Sequence, residues 1–376
     1  VTAEPPPRTA QRGYVVARVR GVPVVVSPSW LLTGALLCAL YGPVLRDAVP
    51  HLSGAAAYAA AFGFAILFGF CVLAHEAGHT LVSTVLGYPV RRIVLFALGG
   101  VSEIDEEPRR ARDELLIAAA GPLVSVLIAV ASGFGYAAAP DGGLTGALVG
   151  LLFWSNLALA VFNLLPGLPL DGGRLVRAAV TALGARPLTA TRVAAWSGRV
   201  IAVALAVTGF ALDRSSLGLA GGVFTAAIAV YLWVAAGQSV HLARLLDRVP
   251  ALSVDTLLRP GVLVPADLTV AAALDRAWQT GARGLVLVDP AGRPAAIVDE
   301  ERIGSVPPEK RPWTPVSTVA RPLEDGLTLP ADLDGDALLA RMRSTPAHEY
   351  LVVHPDGTPA GIITTLDLVN RLKGSE

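Results

Sequence analysis

Long stretches of the first two-thirds of the chain carry almost no charged side chains, whereas the last third alternates apolar and charged positions at short range. A bilayer span needs roughly 20 predominantly apolar residues. Six stretches meet that length, at about 29–46, 53–82, 114–138, 144–166, 194–212 and 216–239. The second is uncharged from Leu52 to Ala74, and the fifth is interrupted by Arg199, whose long stem can carry its charge to an interface. Between the second and third, Arg91 to Ser102 is rich in β-branched residues and contains Gly99-Gly100. It reads as a short hairpin or re-entrant β segment, with an ordinary cytosolic loop as the alternative.

From about residue 250 an internal repeat appears. Pro265-Ala266-Asp267-Leu268 recurs as Pro330-Ala331-Asp332-Leu333, and the apolar run Leu285–Val288 recurs as Tyr350–Val353. Pro290-Ala291-Gly292 matches Pro355-Asp356-Gly357, again displaced by 65 residues. Each copy reads as helix, apolar strand, Gly turn, apolar strand and helix, so one copy exposes an apolar face that a second must cover. The expected organisation is a lead-in at 1–20, a membrane domain at 21–240, a linker at 241–252 and repeats at 253–310 and 311–376. The fold class is a multi-span α-helical membrane protein with a cytosolic α/β tandem.

Composition supports this division. The 376 residues are 53% hydrophobic and 16% charged, against about 25% charged in soluble proteins. The formal net charge is zero, so no basic field points to nucleic acid. Cys38 and Cys71 lie in apolar runs and form no C-x-x-C, which argues against a disulfide framework or thiolate zinc site. Arg8, Arg12, Arg18 and Arg20 precede the first span; Arg91, Arg92, Arg109, Arg110 and Arg112 follow the second; Arg174, Arg177, Arg186 and Arg192 follow the fourth. The opposite connections offer Arg46 and Arg214. The positive-inside rule then puts both termini, and the tandem, in the cytosol of a multi-pass cell-membrane protein. The segment Val1 to Arg20 lacks the apolar core of a secretory signal and is expected to be cytosolic.

The chemistry lies at the end of the second span, in His75-Glu76-Ala77-Gly78-His79. H-E-x-x-H on a helix sets two imidazoles on one face at zinc spacing with a glutamate beside them. Ionisable groups inside a span are rare and usually functional. A catalytic zinc takes three protein ligands and keeps a position for water. The best third candidate is Asp171, in Asn163-Leu-Leu-Pro166-Gly167-Leu-Pro169-Leu-Asp171, where prolines and glycine break the helix and let a carboxylate turn inward. Aspartate is also a favoured cap and turn residue, the plainer reading of Asp171. Glu76 is placed as general base for an attacking water. Asn163 either donates to the substrate or ties helices together, and Asn156, seven residues earlier, lies on nearly the same face. His51, His241, His348 and His354 have no partners at metal spacing, and Glu103, Asp105, Glu106 and Glu107 read as a solvated loop face.

At these residues the chain resembles the site-2 protease family of intramembrane zinc metalloproteases. The resemblance rests on the H-E-x-x-H helix, the N-x-x-P-x-x-P-x-D-G element from Asn163 to Gly172, Ala120-Gly121-Pro122, and Gly21-Val22-Pro23 followed by Ser29-Trp30, and covers roughly residues 15–240. It implies one zinc per chain on His75, His79 and Asp171, with Glu76 catalytic and Asn163 and Pro169 positioning substrate. The implied substrate is the transmembrane segment of a single-span regulatory protein, such as an anti-sigma factor or a membrane-held transcription-factor precursor. The C-terminal tandem resembles a CBS pair, in which G-x-x-T-x-x-D can bind an adenosine nucleotide. Gly361 to Asp367 fits with Thr364 and Asp367, whereas the first repeat has Asp299 and Arg302 there. A purely structural or homodimerising pair is the alternative for this tandem. For the whole protein the rival is a CBS-regulated transporter or channel, with Asn156, Asn163 and Asp171 lining a path.

Overall fold

The computed structural model describes residues 13–373 apart from 98, 106–107, 141, 213–217 and 250–251. Arg8, Arg12, Leu98, Glu106, Glu107 and Arg214, which entered the readings above, lie outside the described residues. The chain divides into two units, up to Ala243 and from Arg244 onward.

In the first unit, strands β1 (Tyr14–Val19) and β2 (Val22–Val26) precede helix α1 (Trp30–Ala48) and the 32-residue α2 (Gly54–Val85). Strands β3 (Val90–Phe96) and β4 (Gly99–Ile104) follow, then α3 (Ala111–Ala138), α4 (Leu144–Asn163), the short α5 (Asp171–Ala182), α6 (Pro187–Leu212) and α7 (Gly218–Asp247). Six helices among the described residues are long and apolar enough to cross a membrane, all but α5. They carry large apolar side chains on their outer faces, among them Phe62, Phe70, Leu127, Trp154, Val203 and Phe210. Lipid can cover these surfaces, as a multi-pass protein requires. The cores between helices use small residues: Ala57 and Ala61 against Leu45, and Ala194, Ala195 and Ala236 around Leu168. Small residues let helix backbones approach closely where lipid supplies no hydrophobic drive for association.

The expected hairpin at 91–102 is β3 and β4, and it belongs to a four-stranded sheet ordered β1-β2-β3-β4. The lead-in expected at 1–20 is therefore structured from Tyr14, because β1 pairs antiparallel with β2. Glu103, which the sequence reads as part of a solvated loop face, lies on β4 opposite Arg92, whose guanidinium donates to both carboxylate oxygens at 2.8 and 2.9 Å. Cross-strand opposite charges of this kind stabilise register. The turn is anchored to the start of α1, where Thr33 Oγ1 donates to the Ala97 carbonyl at 2.6 Å and Ala97 N donates to Ser29 Oγ at 3.2 Å.

The second unit contains α8 (Val254–Leu257), β5 (Gly261–Pro265), α9 (Val270–Thr280), β6 (Gly284–Val288), β7 (Pro294–Val298) and α10 (Glu300–Ser305). Then come β8 (Ala320–Pro322), β9 (Thr328–Pro330), α11 (Gly335–Ser344), β10 (Glu349–Val353), β11 (Pro359–Thr364) and α12 (Thr365–Lys373). The sheets are β5-β6-β7-β8 and β11-β10-β9. The repeats exchange edges: β8, from the second sequence copy, pairs with β7 of the first. Conversely, Val254 and Leu257 of α8 pack in the second core with Leu329, Leu338 and Tyr350. Val286, Ile297, Leu351 and Ile362 form a shared core between the two sheets. The linker expected at 241–252 is helical to Asp247, the end of α7.

Candidate metal centre

His75 and His79 sit one turn apart on the buried face of α2, each 3% exposed. At about 1.5 Å rise per residue they lie roughly 9–15 Å inside the end of that helix, within the apolar bundle. Asp171 is the first residue of α5, where the helix dipole favours a carboxylate. The segment between Asn163 and Asp171 breaks the helix as its prolines and Gly167 imply, and its Leu168–Pro169 peptide is cis. Leu168 N donates to the Ala194 carbonyl of α6 at 3.0 Å, pinning that segment.

The structure brings the three side chains together. Asp171 Oδ2 lies 3.2 Å from Nε2 of both His75 and His79, and the two Nε2 atoms are 3.3 Å apart. Zinc bonds of about 2.0–2.1 Å in tetrahedral geometry put neighbouring donors about 3.3 Å apart. The triad therefore fits one zinc ion.

Several contacts had no sequence signal. His79 Nδ1 donates to the Ile117 carbonyl at 2.6 Å, and His75 Nδ1 is hydrogen-bonded to the buried Ser125 Oγ at 2.9 Å. Both partners come from α3, and both turn the Nε2 lone pairs toward the metal position. Gly121, also on α3, faces the rings: a Cβ there would lie 2.2 Å from His79 Nε2 and 2.6 Å from His75 Nε2. Buried Glu114 on α3 accepts from Arg177 Nε of α5 at 2.6 Å, fastening the helix that carries Asp171. Ser102 Oγ of β4 donates to Glu76 Oε2 at 2.8 Å, so the glutamate is held from the sheet side.

Asn163 ends α4 half-buried, and Pro169 is half-buried in the loop before Asp171. Asn156 is fully buried and donates to the Leu152 carbonyl of its own helix at 2.9 Å. In the second unit, Thr364 Oγ1 donates to Asp367 Oδ2 at 2.9 Å, and Arg259 Nη2 donates to Asp367 Oδ1 at 2.7 Å. Arg259 also reaches Glu300 at 3.1 Å, bridging the two repeats. Burial raises the Asp367 carboxyl, and Arg259 and Thr364 more than offset this, leaving it lowered.

The family model for peptidase family M50 matches residues 63–145 and 135–207, a span that holds all three metal-facing residues. The provisionally named zinc metalloprotease Rip3 of Mycobacterium tuberculosis is 31% identical over 370 residues, covering 96% of this chain and 91% of its own. Among solved structures, the site-2 protease from Methanocaldococcus jannaschii is 26% identical, with a TM-score of 0.43 over 61% of this chain and 95% of that one. The CBS domain of a bacterial CNNM/CorC family Mg2+ transporter is 17% identical, with a TM-score of 0.29 over 36% of this chain and 84% of that one. With Rip3 matched over nearly its whole length, the chain belongs to peptidase family M50, the site-2 protease family of zinc metalloproteases.

Proposed function

We propose that this protein hydrolyses a peptide bond within the transmembrane segment of a single-span regulatory protein, of the anti-sigma-factor or membrane-held transcription-factor kind. The observation that carries the reading is the convergence of His75, His79 and Asp171 around one metal position inside the apolar bundle, with Glu76 beside it. Zinc held by His75, His79 and Asp171 would supply Lewis acidity, polarising a carbonyl and lowering the pKa of water so that it can be deprotonated near neutral pH. Glu76 accepts the proton of the attacking water and returns it to the leaving amine. Asn163 and Pro169 orient the substrate backbone near the reacting carbonyl. A helical substrate has its carbonyls engaged, so it must unwind before attack. Strand β4 is the edge of its sheet among the described residues, which supports its pairing with the unwound stretch.

The arginine distribution supports cytosolic termini and a cytosolic tandem. The tandem acts as a CBS-type regulatory pair: an adenosine nucleotide engages Thr364 and Asp367 by displacing Arg259, and two such pairs associate as a homodimer. Trapping with a Glu76→Gln variant in native membranes tests the substrate class. Captured single-span proteins support it, and capture of none above a variant lacking His75 and His79 contradicts it. Calorimetry on the full chain tests the nucleotide: heat with ATP, ADP or AMP is expected, and its absence contradicts that role.

A further inference from the structure

Strand β4 lies across α2, and two of its residues on the same strand face meet Glu76. A Cβ at Gly100 would come 2.5 Å from Glu76 Cγ and 2.9 Å from Oε1, so glycine here lets Glu76 keep this rotamer against the strand. Two residues on, Ser102 Oγ is 2.8 Å from Glu76 Oε2 and 3.1 Å from the Glu76 carbonyl. Thr80, one turn after Glu76 and 2% exposed, donates its hydroxyl to Ser102 Oγ at 3.2 Å. With the Thr80 proton directed at its oxygen, Ser102 turns its own proton to Glu76. Glu76 is 7% exposed, so the protein and not solvent decides its rotamer.

From these contacts we infer that Ser102, backed by Thr80, is the positioning residue of Glu76. It holds the carboxylate in the orientation that receives the proton of the attacking water. The inference deepens the proposed peptidase reading and rests on it. Its consequence is mechanical: the strand that lies at the sheet edge among the described residues is the same strand that fixes the general base. Positioning of this kind acts on kcat, because an off-target base leaves substrate affinity intact while lowering the fraction of productive encounters.

The test compares Ser102→Ala, Ser102→Thr and wild type as full-length zinc-loaded protein in proteoliposomes. Ser102→Ala is expected to lower kcat on the order of 10–100-fold, with KM and zinc content unchanged, and Ser102→Thr is expected to recover most of the loss. In a Glu76→Gln background Ser102→Ala is expected to cost nothing more. Isotope-edited infrared spectroscopy gives a readout independent of turnover. The Glu76 carboxylate band, assigned by its loss in Glu76→Gln, should shift in Ser102→Ala and return in Ser102→Thr. An unshifted band, a full wild-type kcat, or a loss explained by missing zinc would overturn the inference. If wild type cuts no transmembrane substrate while the band still shifts, the peptidase reading fails and the hold of Ser102 on Glu76 stands.

Discussion

At the scale of single residues the metal centre is set by what stands behind each ligand. Gly121 is an exacting position, since a methyl group there would intrude between the imidazole Nε2 atoms. Gly121→Ala should therefore abolish zinc binding, read by metal analysis of the purified protein, while the helical circular dichroism signal persists. Ser125 orients His75 from behind, and Ser125→Ala should weaken zinc about 10–100-fold in competition with a chromophoric chelator. His75, Glu76, His79 and Asp171 were legible in the sequence because ionisable residues in apolar runs are rare and their spacing carries geometry. Ser125, Ser102 and the Ile117 carbonyl were not legible. Serines and carbonyls occur everywhere, and only the packing of α3 and β4 against α2 gives these three a role.

Among elements, α5 matters most, because it delivers Asp171. It is short, and in the sequence it is only part of the arginine-bearing connection after the fourth span. What fastens it is the Arg177 contact to buried Glu114, a pairing between helices 63 residues apart in sequence that no local pattern announces. Removing one partner of a buried ion pair leaves the other uncompensated, at a cost of about 3–5 kcal/mol. Arg177→Met should lower both the melting temperature and the rate at which the protein retains zinc against a chelator. Adding Glu114→Gln should recover part of the melting temperature. The hairpin of β3 and β4 was visible from its β-branched residues and glycines. Strand β1 was not, since its partner strand must be known before Tyr14–Val19 reads as anything but a lead-in.

Over the whole molecule, the apolar runs located the six long helices, since a span is a one-dimensional signal in the sequence. The 65-residue repeat located the tandem but not its packing, because sequence register says nothing of β8 and α8 crossing between copies. That seam carries a pH dependence. Burial, reinforced by nearby Asp299, pushes the Glu349 carboxyl up to about 7, and it accepts from Glu300 N across the repeats. The folded form thus holds this proton more tightly than the unfolded chain. The stability Glu349 contributes is full below the ordinary glutamate range and is lost as pH rises toward 7. Thermal melting of the second unit should accordingly be higher at pH 5 than at pH 8, and Glu349→Gln should flatten that difference.

The most direct test of the central claim is mass-spectrometric mapping of the products when purified, zinc-loaded protein and a single-span substrate are reconstituted in one bilayer. The account predicts a cut inside the substrate's transmembrane segment by wild type, lost with Glu76→Gln although zinc remains. A cut confined to the substrate's soluble flanks, or an undiminished cut by Glu76→Gln, would contradict it.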